Sequence, residues 1–106
     1  MASKSIAFRV QSVDKIEISR LLISGNIHVL RLLEALLRQG HKLYPLTEIR
    51  DILLEQLRTG GPVAEILQLV RHYDEIDDAF FELCGYNFSQ SDNLKVRTAA
   101  FKLLAK

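Results

Sequence analysis

The sequence has no tryptophan, only one cysteine and two prolines, and no long apolar run. The single cysteine, Cys84, excludes an intrachain disulfide, and such cysteine-poor chains are typical of a reducing cytoplasm. No apolar run reaches the roughly 18 residues of a membrane span. The first residues, MASKSIAF, are too short and too charged for a signal peptide. We therefore expect a cytoplasmic protein that does not contact a membrane.

The sequence also lacks the spacings of catalytic and metal sites. The segment RTGGP lacks the Gly-Lys-Ser/Thr ending of a phosphate-binding loop, and the acidic residues of 74–78 do not follow the calcium-loop pattern. No metal-ligand spacing relates Cys84 to the three histidines, which are His28, His41 and His72. We expect no enzyme, no cofactor and no metal, and we expect Cys84 to be a small core residue.

The 106 residues are 48% hydrophobic and 25% charged, which fits one domain with a modest core. The charges are unevenly distributed: residues 1–50 carry a net +4, residues 51–94 a net −7, and residues 95–106 a net +4. Basic ends and an acidic middle indicate two different contact surfaces. The alternative is that a small helical protein distributes its charges unevenly by chance.

The segment KSIAFRVQ, residues 4–11, has the alternating pattern of a strand. Apolar Ile6, Phe8 and Val10 alternate with polar or small residues, which predicts a half-buried strand. No second strand is predicted, so this strand needs a partner for its backbone N–H and C=O groups.

The rest of the chain predicts helices separated by Gly, Pro and polar turns. The segment IHVLRLLEALLRQG has an apolar surface so broad that we expect it to form a dimer interface. Residues 86–93 predict a linker. The predicted helical segments are 15–24, 27–40, 45–58, 62–73, 74–85 and 94–106.

One strand followed by two helices with a glycine turn between them is the order of the ribbon-helix-helix fold. We therefore predict a mainly α protein whose N-terminal strand pairs with its copy across a homodimer. Residues 1–44 would be the dimerisation and DNA-binding region, 45–85 a helical dimer-stabilising region, and 86–106 a linker and amphipathic partner-binding helix. The alternatives are pairing of the strand with another segment, or an N-terminal arm without fixed structure.

A two-stranded ribbon fits the major groove of DNA. Arg9 would pair with guanine, Ser5 would donate or accept a hydrogen bond, and Ala7 would contact a thymine methyl group. Basic side chains and the start of the second helix would contact phosphates. The predicted DNA-binding residues are Lys4, Ser5, Ala7, Arg9, Lys15, Asn26, Ile27 and His28.

Several segments together resemble the ParR (also StbB) adaptors of actin-type plasmid partition systems. They are KSIAFRV, DKI at 14–16, EALLRQGHKLY at 34–44, LLEQLRTGGPVAEILQLV at 53–70, and KVRTAAFKLLAK at the end. The acidic segment YDEIDDAFFELCGYNF does not match the family. The resemblance therefore extends over most of the chain but is weak between residues 71 and 94.

The resemblance implies a bacterial, plasmid-associated protein that binds repeated centromere-like sites in double-stranded DNA as a homodimer. Such dimers assemble into a higher-order scaffold, and their C-terminal helices engage the end of a filament of ParM, an actin-like ATPase. These adaptors often also repress their own operon.

The C-terminal segment 94–106 reads as a basic amphipathic helix, for which we expect partner binding in a helix-in-groove manner. We expect it to fold on binding or to dock loosely, because an isolated helix this short is marginal in water. The alternative is packing against the acidic segment 74–82. The predicted partner-binding residues are Lys95, Arg97, Phe101, Lys102 and Leu104.

Two other functions fit the same pattern. One is a ribbon-helix-helix repressor or antitoxin, although antitoxin tails are usually disordered and often acidic, whereas this one is basic and contains Phe101, Leu103 and Leu104. The other is a helical interaction protein that does not bind DNA. A DNA affinity that falls steeply with salt would exclude the second of these.

Overall fold

The computed structural model describes residues 15–106, which form six α-helices and one short 3-10 turn. The 3-10 turn, Phe88–Gln90, precedes the last helix. The helices are α1 (Lys15–Ile23), α2 (Ile27–Arg38), α3 (Leu46–Arg58), α4 (Val63–Arg71), α5 (Asp78–Tyr86) and α6 (Leu94–Leu104).

The break between α1 and α2 follows from two adjacent residues. Gly25 has a φ of 77°, a left-handed conformation that glycine adopts without strain. The N–H groups of Gly25 and Asn26 donate to the carbonyl oxygens of Leu22 and Leu21, which ends α1. Asn26 Oδ1 then accepts the N–H of Val29 at 3.1 Å and caps α2. The predicted Gly25-Asn26 break is confirmed.

Helix α4 is the centre of the fold. Four of its nine residues, Ile66, Leu67, Leu69 and Val70, have no exposed surface, and the helix packs against α2, α3 and α6. An apolar helix of this kind is covered on several sides. One continuous core extends from Ile18 in α1 to Leu103 in α6, so the three predicted regions share a single core.

Helix α3 turns its predicted apolar side inward: Leu46, Ile49, Leu53, Leu54 and Leu57 are all buried. The neighbouring Gln56 is buried too. Its Nε2 donates to the carbonyl oxygens of Leu22 and Ile23, the second at 2.8 Å. Both carbonyls lie in the last turn of α1, where the helix supplies few N–H donors, so these bonds help to satisfy the end of α1 and join α3 to it.

The connection between α2 and α3 is held by two tyrosines. Tyr73 donates its hydroxyl hydrogen to the carbonyl oxygen of Tyr44 at 2.8 Å, and the Tyr44 hydroxyl lies 2.9 Å from Ser19 Oγ in α1. Burial raises the pKa of Tyr73 to about 12, so the hydroxyl stays protonated as a donor. The two bonds join the connection to α1 and to the segment that follows α4.

The predicted ribbon-helix-helix fold is wrong. Residues 15–106 contain no strand, and the helices after residue 45 supply the central helix of the core. The leucine surface of α2 is covered by its own chain, because α2 packs against α4 and buries Val29, Leu30, Leu33 and Leu36. The predicted strand, residues 4–11, lies outside the described residues.

Candidate partner-binding surface

Helix α6 begins at a well-formed cap and is joined to the bundle along one side. Asn93 Oδ1 accepts the N–H groups of Lys95 and Val96, at 3.0 and 3.3 Å. Ala99, Ala100 and Leu103 are buried, and the most extensive contact of α6 is with α4. The small alanine side chains allow the two helices to approach closely.

The C-terminal end of α6 is anchored to α4. Lys106 Nζ donates to the carbonyl oxygens of Arg71 and Tyr73, at the C-terminal end of α4. A cation at this position satisfies carbonyl groups and meets the negative end of the helix dipole. Helix α6 is therefore an integral part of the bundle, not the loosely docked tail expected from the sequence.

The exposed surface of α6 carries three apolar side chains, which we call the outward stripe. Leu94 is 66% exposed, Phe101 55% and Leu104 38%. Their spacing of seven and three residues places them along one side of the helix. The amphipathic pattern of the sequence predicts that Phe101 and Leu104 share one side with Ala99 or Ala100. In the structure Phe101 lies on the exposed side, and Leu104 lies at its edge, next to the buried Ala100.

The predicted basic residues of α6 differ in their surroundings. Lys95 Nζ lies 3.1 Å from Glu65 Oε1, and Arg31 of α2 reaches the same oxygen at 4.0 Å. Arg97 donates to the carbonyl oxygen of Ser91 at 3.3 Å. The exposed Lys102 forms no hydrogen bond or ion pair with another residue of 15–106. Lys102 is therefore the cation best placed to meet a partner.

A shallow groove runs between α4 and α6 beside the outward stripe. Two lysines and two polar side chains surround its apolar floor; its lining residues are Gln68, Leu94, Lys95, Thr98, Ala99 and Lys102. The groove contains no acid–base pair or nucleophile with an activating base. Its chemistry suits contact with the apolar edge and acidic rim of another protein.

The DNA-binding residues predicted from the sequence fall into two groups. Asn26 uses its side-chain oxygen to cap α2, and Ile27 and His28 are exposed in the first turn of that helix, where N–H groups and the helix dipole favour an anion. Lys15 begins α1. The other four predicted residues, Lys4, Ser5, Ala7 and Arg9, lie outside the described residues.

Sequence reasoning missed a second exposed apolar cluster, which we call the isoleucine corner. Ile16 is 78% exposed, Ile23 63% and Ile27 38%. In the sequence, Ile16 and Ile23 join a stripe with Ile18 and Leu22, and only the latter two are buried. One signal in the sequence could have revealed this cluster: α1 has more apolar positions than one side of a short helix can bury, so some of them must stay exposed.

Cys84 is fully buried, as predicted, and burial raises the pKa of its thiol to about 11. The thiolate that a nucleophile requires is therefore scarce at neutral pH. Within residues 15–106, no group of three His, Cys, Asp or Glu side chains is placed to hold a metal ion. None of the helices in this part of the chain is long and apolar enough to cross a membrane.

Comparisons of the chain with protein-family models, with curated proteins and with solved structures give no significant match.

Proposed function

We propose that this protein is a non-enzymatic adaptor of a bacterial plasmid partition system, acting in the cytoplasm. Its basic N-terminal half binds repeated centromere-like sites in double-stranded DNA, and its copies associate into a larger assembly. The outward stripe of α6 binds the end of an actin-like ATPase filament. The sequence resemblance to ParR adaptors and the surface of α6 support this proposal.

The observation that carries the proposal is that α6 is apolar on two opposite sides. One side, with Ala99, Ala100 and Leu103, is buried against the bundle, while Leu94 and Phe101 on the other side are more than half exposed. Exposed large apolar side chains that line up along one helix are typical of protein-binding surfaces. The α6 helix therefore has apolar area for a partner after its own packing is satisfied.

The charges around the outward stripe indicate an acidic partner. Residues 95–106 contain four basic and no acidic residues, and Lys102 is exposed beside the groove. Such cations accelerate the encounter with an acidic surface and oppose binding to a basic one. DNA binding is assigned to the exposed first turn of α2, which contains no acidic residue.

The test of the filament contact uses the actin-like ATPase encoded beside this gene. Cosedimentation with its filaments is measured for wild type, for Phe101→Ser/Leu104→Ser, and for the control Tyr86→Ser, which removes a 78% exposed aromatic side chain from α5. We expect the double variant to lose at least about tenfold in affinity, as for an interface anchor, while the control binds like wild type. Equal binding of all three proteins, or the absence of such an ATPase gene, would contradict the proposal.

The DNA contact is tested by gel shift on the DNA upstream of the gene, at about 50 mM and about 200 mM salt. Phosphate contacts make the affinity fall by a large factor between these concentrations. Arg9→Ala is expected to weaken specific binding by about 1–3 kcal/mol, the usual contribution of a bidentate base contact. A protein that shifts no DNA at the lower salt concentration would instead support the helical interaction protein without DNA binding.

A further inference from the structure

The isoleucine corner lies where the described part of the chain begins. Ile16 and Ile23 are two helical turns apart on α1 and share one side, and Ile27 follows across the Gly25 turn at the start of α2. Within residues 15–106, packing leaves Ile16 and Ile23 more than half exposed and Ile27 38% exposed. A cluster of large exposed apolar residues on so small a domain indicates that another segment packs there.

The segment that directly precedes α1 has an apolar composition suited to packing against the isoleucine corner. Ile6, Phe8 and Val10 are three large apolar residues within five positions. Val10 is five residues from the start of α1, and five extended residues can span up to roughly 17 Å. Helix α1, with nine residues, is only about 13 Å long. Val10 and its neighbours can therefore reach any part of the isoleucine corner.

Connection through a short linker also favours this segment over a second copy of the chain. A binding segment attached by a few residues acts at an effective concentration in roughly the millimolar range. Separate copies at micromolar concentration are about a thousandfold more dilute, so they lose this competition when the contacts are of similar quality.

We propose that Ile6, Phe8 and Val10 pack against Ile16, Ile23 and Ile27 of the same chain. The segment KSIAFRVQ then needs no partner from a second molecule. Lys4 and Arg9 adjoin these apolar residues in sequence, so the packing holds both cations near the first turn of α2. If the DNA-binding function proposed above is correct, this corner unites its two groups of DNA contacts in one basic surface.

The first test compares melting temperatures. Phe8→Ser/Val10→Ser removes two of the packed side chains and is expected to lower the melting temperature by about 10 °C. The control Ser3→Asn/Gln11→Ser changes two polar positions of the same segment and is expected to melt like wild type. Equal melting temperatures for wild type and Phe8→Ser/Val10→Ser would overturn the proposal.

The second test locates the contact by disulfide formation. Phe8→Cys/Ile23→Cys is prepared in a Cys84→Ala background and oxidised, with Phe8→Cys/Glu82→Cys as the control, since Glu82 lies on α5, which packs against α6. We expect a disulfide within one chain, formed at a rate independent of protein concentration, and none in the control. Disulfide-linked dimers whose yield rises with concentration would show that a second copy occupies the corner and would overturn the proposal.

Neither test contains DNA. If both tests give the expected result and the protein binds no DNA, the proposed packing is supported and the proposed function is contradicted. If the protein binds DNA and the two tests fail, the function is supported and the packing is contradicted.

Discussion

Helices α2 and α6 are both packed more closely within their own chain than their sequences indicate. The leucine-rich α2 was expected to bind a second chain, yet Leu33 and Leu36 are 3% exposed and covered by the same chain. The basic α6 was expected to dock loosely, yet Leu103 has no exposed surface, and α6 packs more extensively on α4 than α2 does. Apolar periodicity thus identified the side of α2 that needs cover, but neither the partner that supplies this cover nor the buried side of α6.

One acidic side chain connects the two helices through the centre of the bundle. Glu65 of α4 lies 3.1 Å from Lys95 of α6 and 4.0 Å from Arg31 of α2. Its side chain is only 12% exposed, while both cations are more than half exposed. The carboxylate is therefore held between α2 and α6, where its negative charge faces the positive charges of Arg31 and Lys95.

The largest expected effect distinguishes the two sides of α6. Leu103→Asp places a charge in the core beside α4 and is expected to unfold the protein, because an unpaired buried charge costs a large part of the roughly 5–15 kcal/mol that stabilises a domain. Phe101→Asp, two residues earlier on the outward stripe, is the matched control and is expected to remain folded. Circular dichroism and thermal melts compare them. Similar melting of the two variants would mean that α6 is not packed as described.

A smaller effect tests whether α2 is covered within one chain. Leu33→Ala removes a buried side chain from the contact with α4 and is expected to reduce the free energy of unfolding by about 2–5 kcal/mol. Because the contact lies within one chain, the loss should not depend on protein concentration. Denaturant unfolding at two concentrations a hundredfold apart measures it. A midpoint that rises with concentration in wild type, and not in the variant, would restore α2 as a subunit interface.

The positions of the helices were accessible from the sequence because their signals are local. Gly25 and Asn26 end α1 and cap α2 through bonds that span five residues or fewer. Pro45 and Pro62 directly precede α3 and α4, where a residue without an N–H is tolerated. Each of these effects acts between residues at most five positions apart, so one sequence sufficed to identify it.

The assignment of sides in α6 was not accessible, for a physical reason. Hydrophobicity alone ranks Phe101 and Leu104 above Ala99 and Ala100 as core residues. Close packing against α4 selects the small side chains instead, because they let the helices approach. The size that α4 permits depends on residues about 30 positions earlier in the chain, including Gln68 in the groove beside Ala99. The candidate surface therefore emerged only from the packed bundle.

A pH-dependent effect tests how α5, which packs against α6, is joined to α3. Arg50 Nε donates to Asp77 Oδ2 at 2.7 Å, and Asp77 Oδ1 accepts the N–H of Ala79 at 2.8 Å. The hydrogen bond from Arg50, and then that from Ala79, lower the pKa of Asp77 below its usual value. A carboxyl with a lower pKa in the folded state stabilises the protein above the unfolded-state pKa of about 4, and this stabilisation disappears as the pH falls through the folded-state value.

We therefore expect Asp77→Asn to melt below wild type at neutral pH, with a difference that is steady down to about pH 5 and shrinks below about pH 4. Added salt should reduce the difference, since both side chains are partly exposed. Asp74→Asn, at an exposed position, serves as the control for the loss of one negative charge. A difference that is unchanged at low pH would show that the charge of Asp77 and its ion pair with Arg50 do not cause the effect, since the asparagine side chain retains the oxygen that caps α5.

The smallest expected effect on stability belongs to Phe101→Ser, and it isolates the function of the outward stripe. More than half of the Phe101 side chain is already exposed, and serine and phenylalanine have similar helix propensities. The free energy of unfolding should therefore change by less than about 1 kcal/mol. If the stripe binds an acidic partner, association with filaments should fall although the fold is intact, and Lys102→Gln should slow association mainly at low salt. A large drop in the melting temperature of Phe101→Ser would instead show that Phe101 contributes to the packing of the bundle, and the outward stripe would then lose its central anchor for a partner.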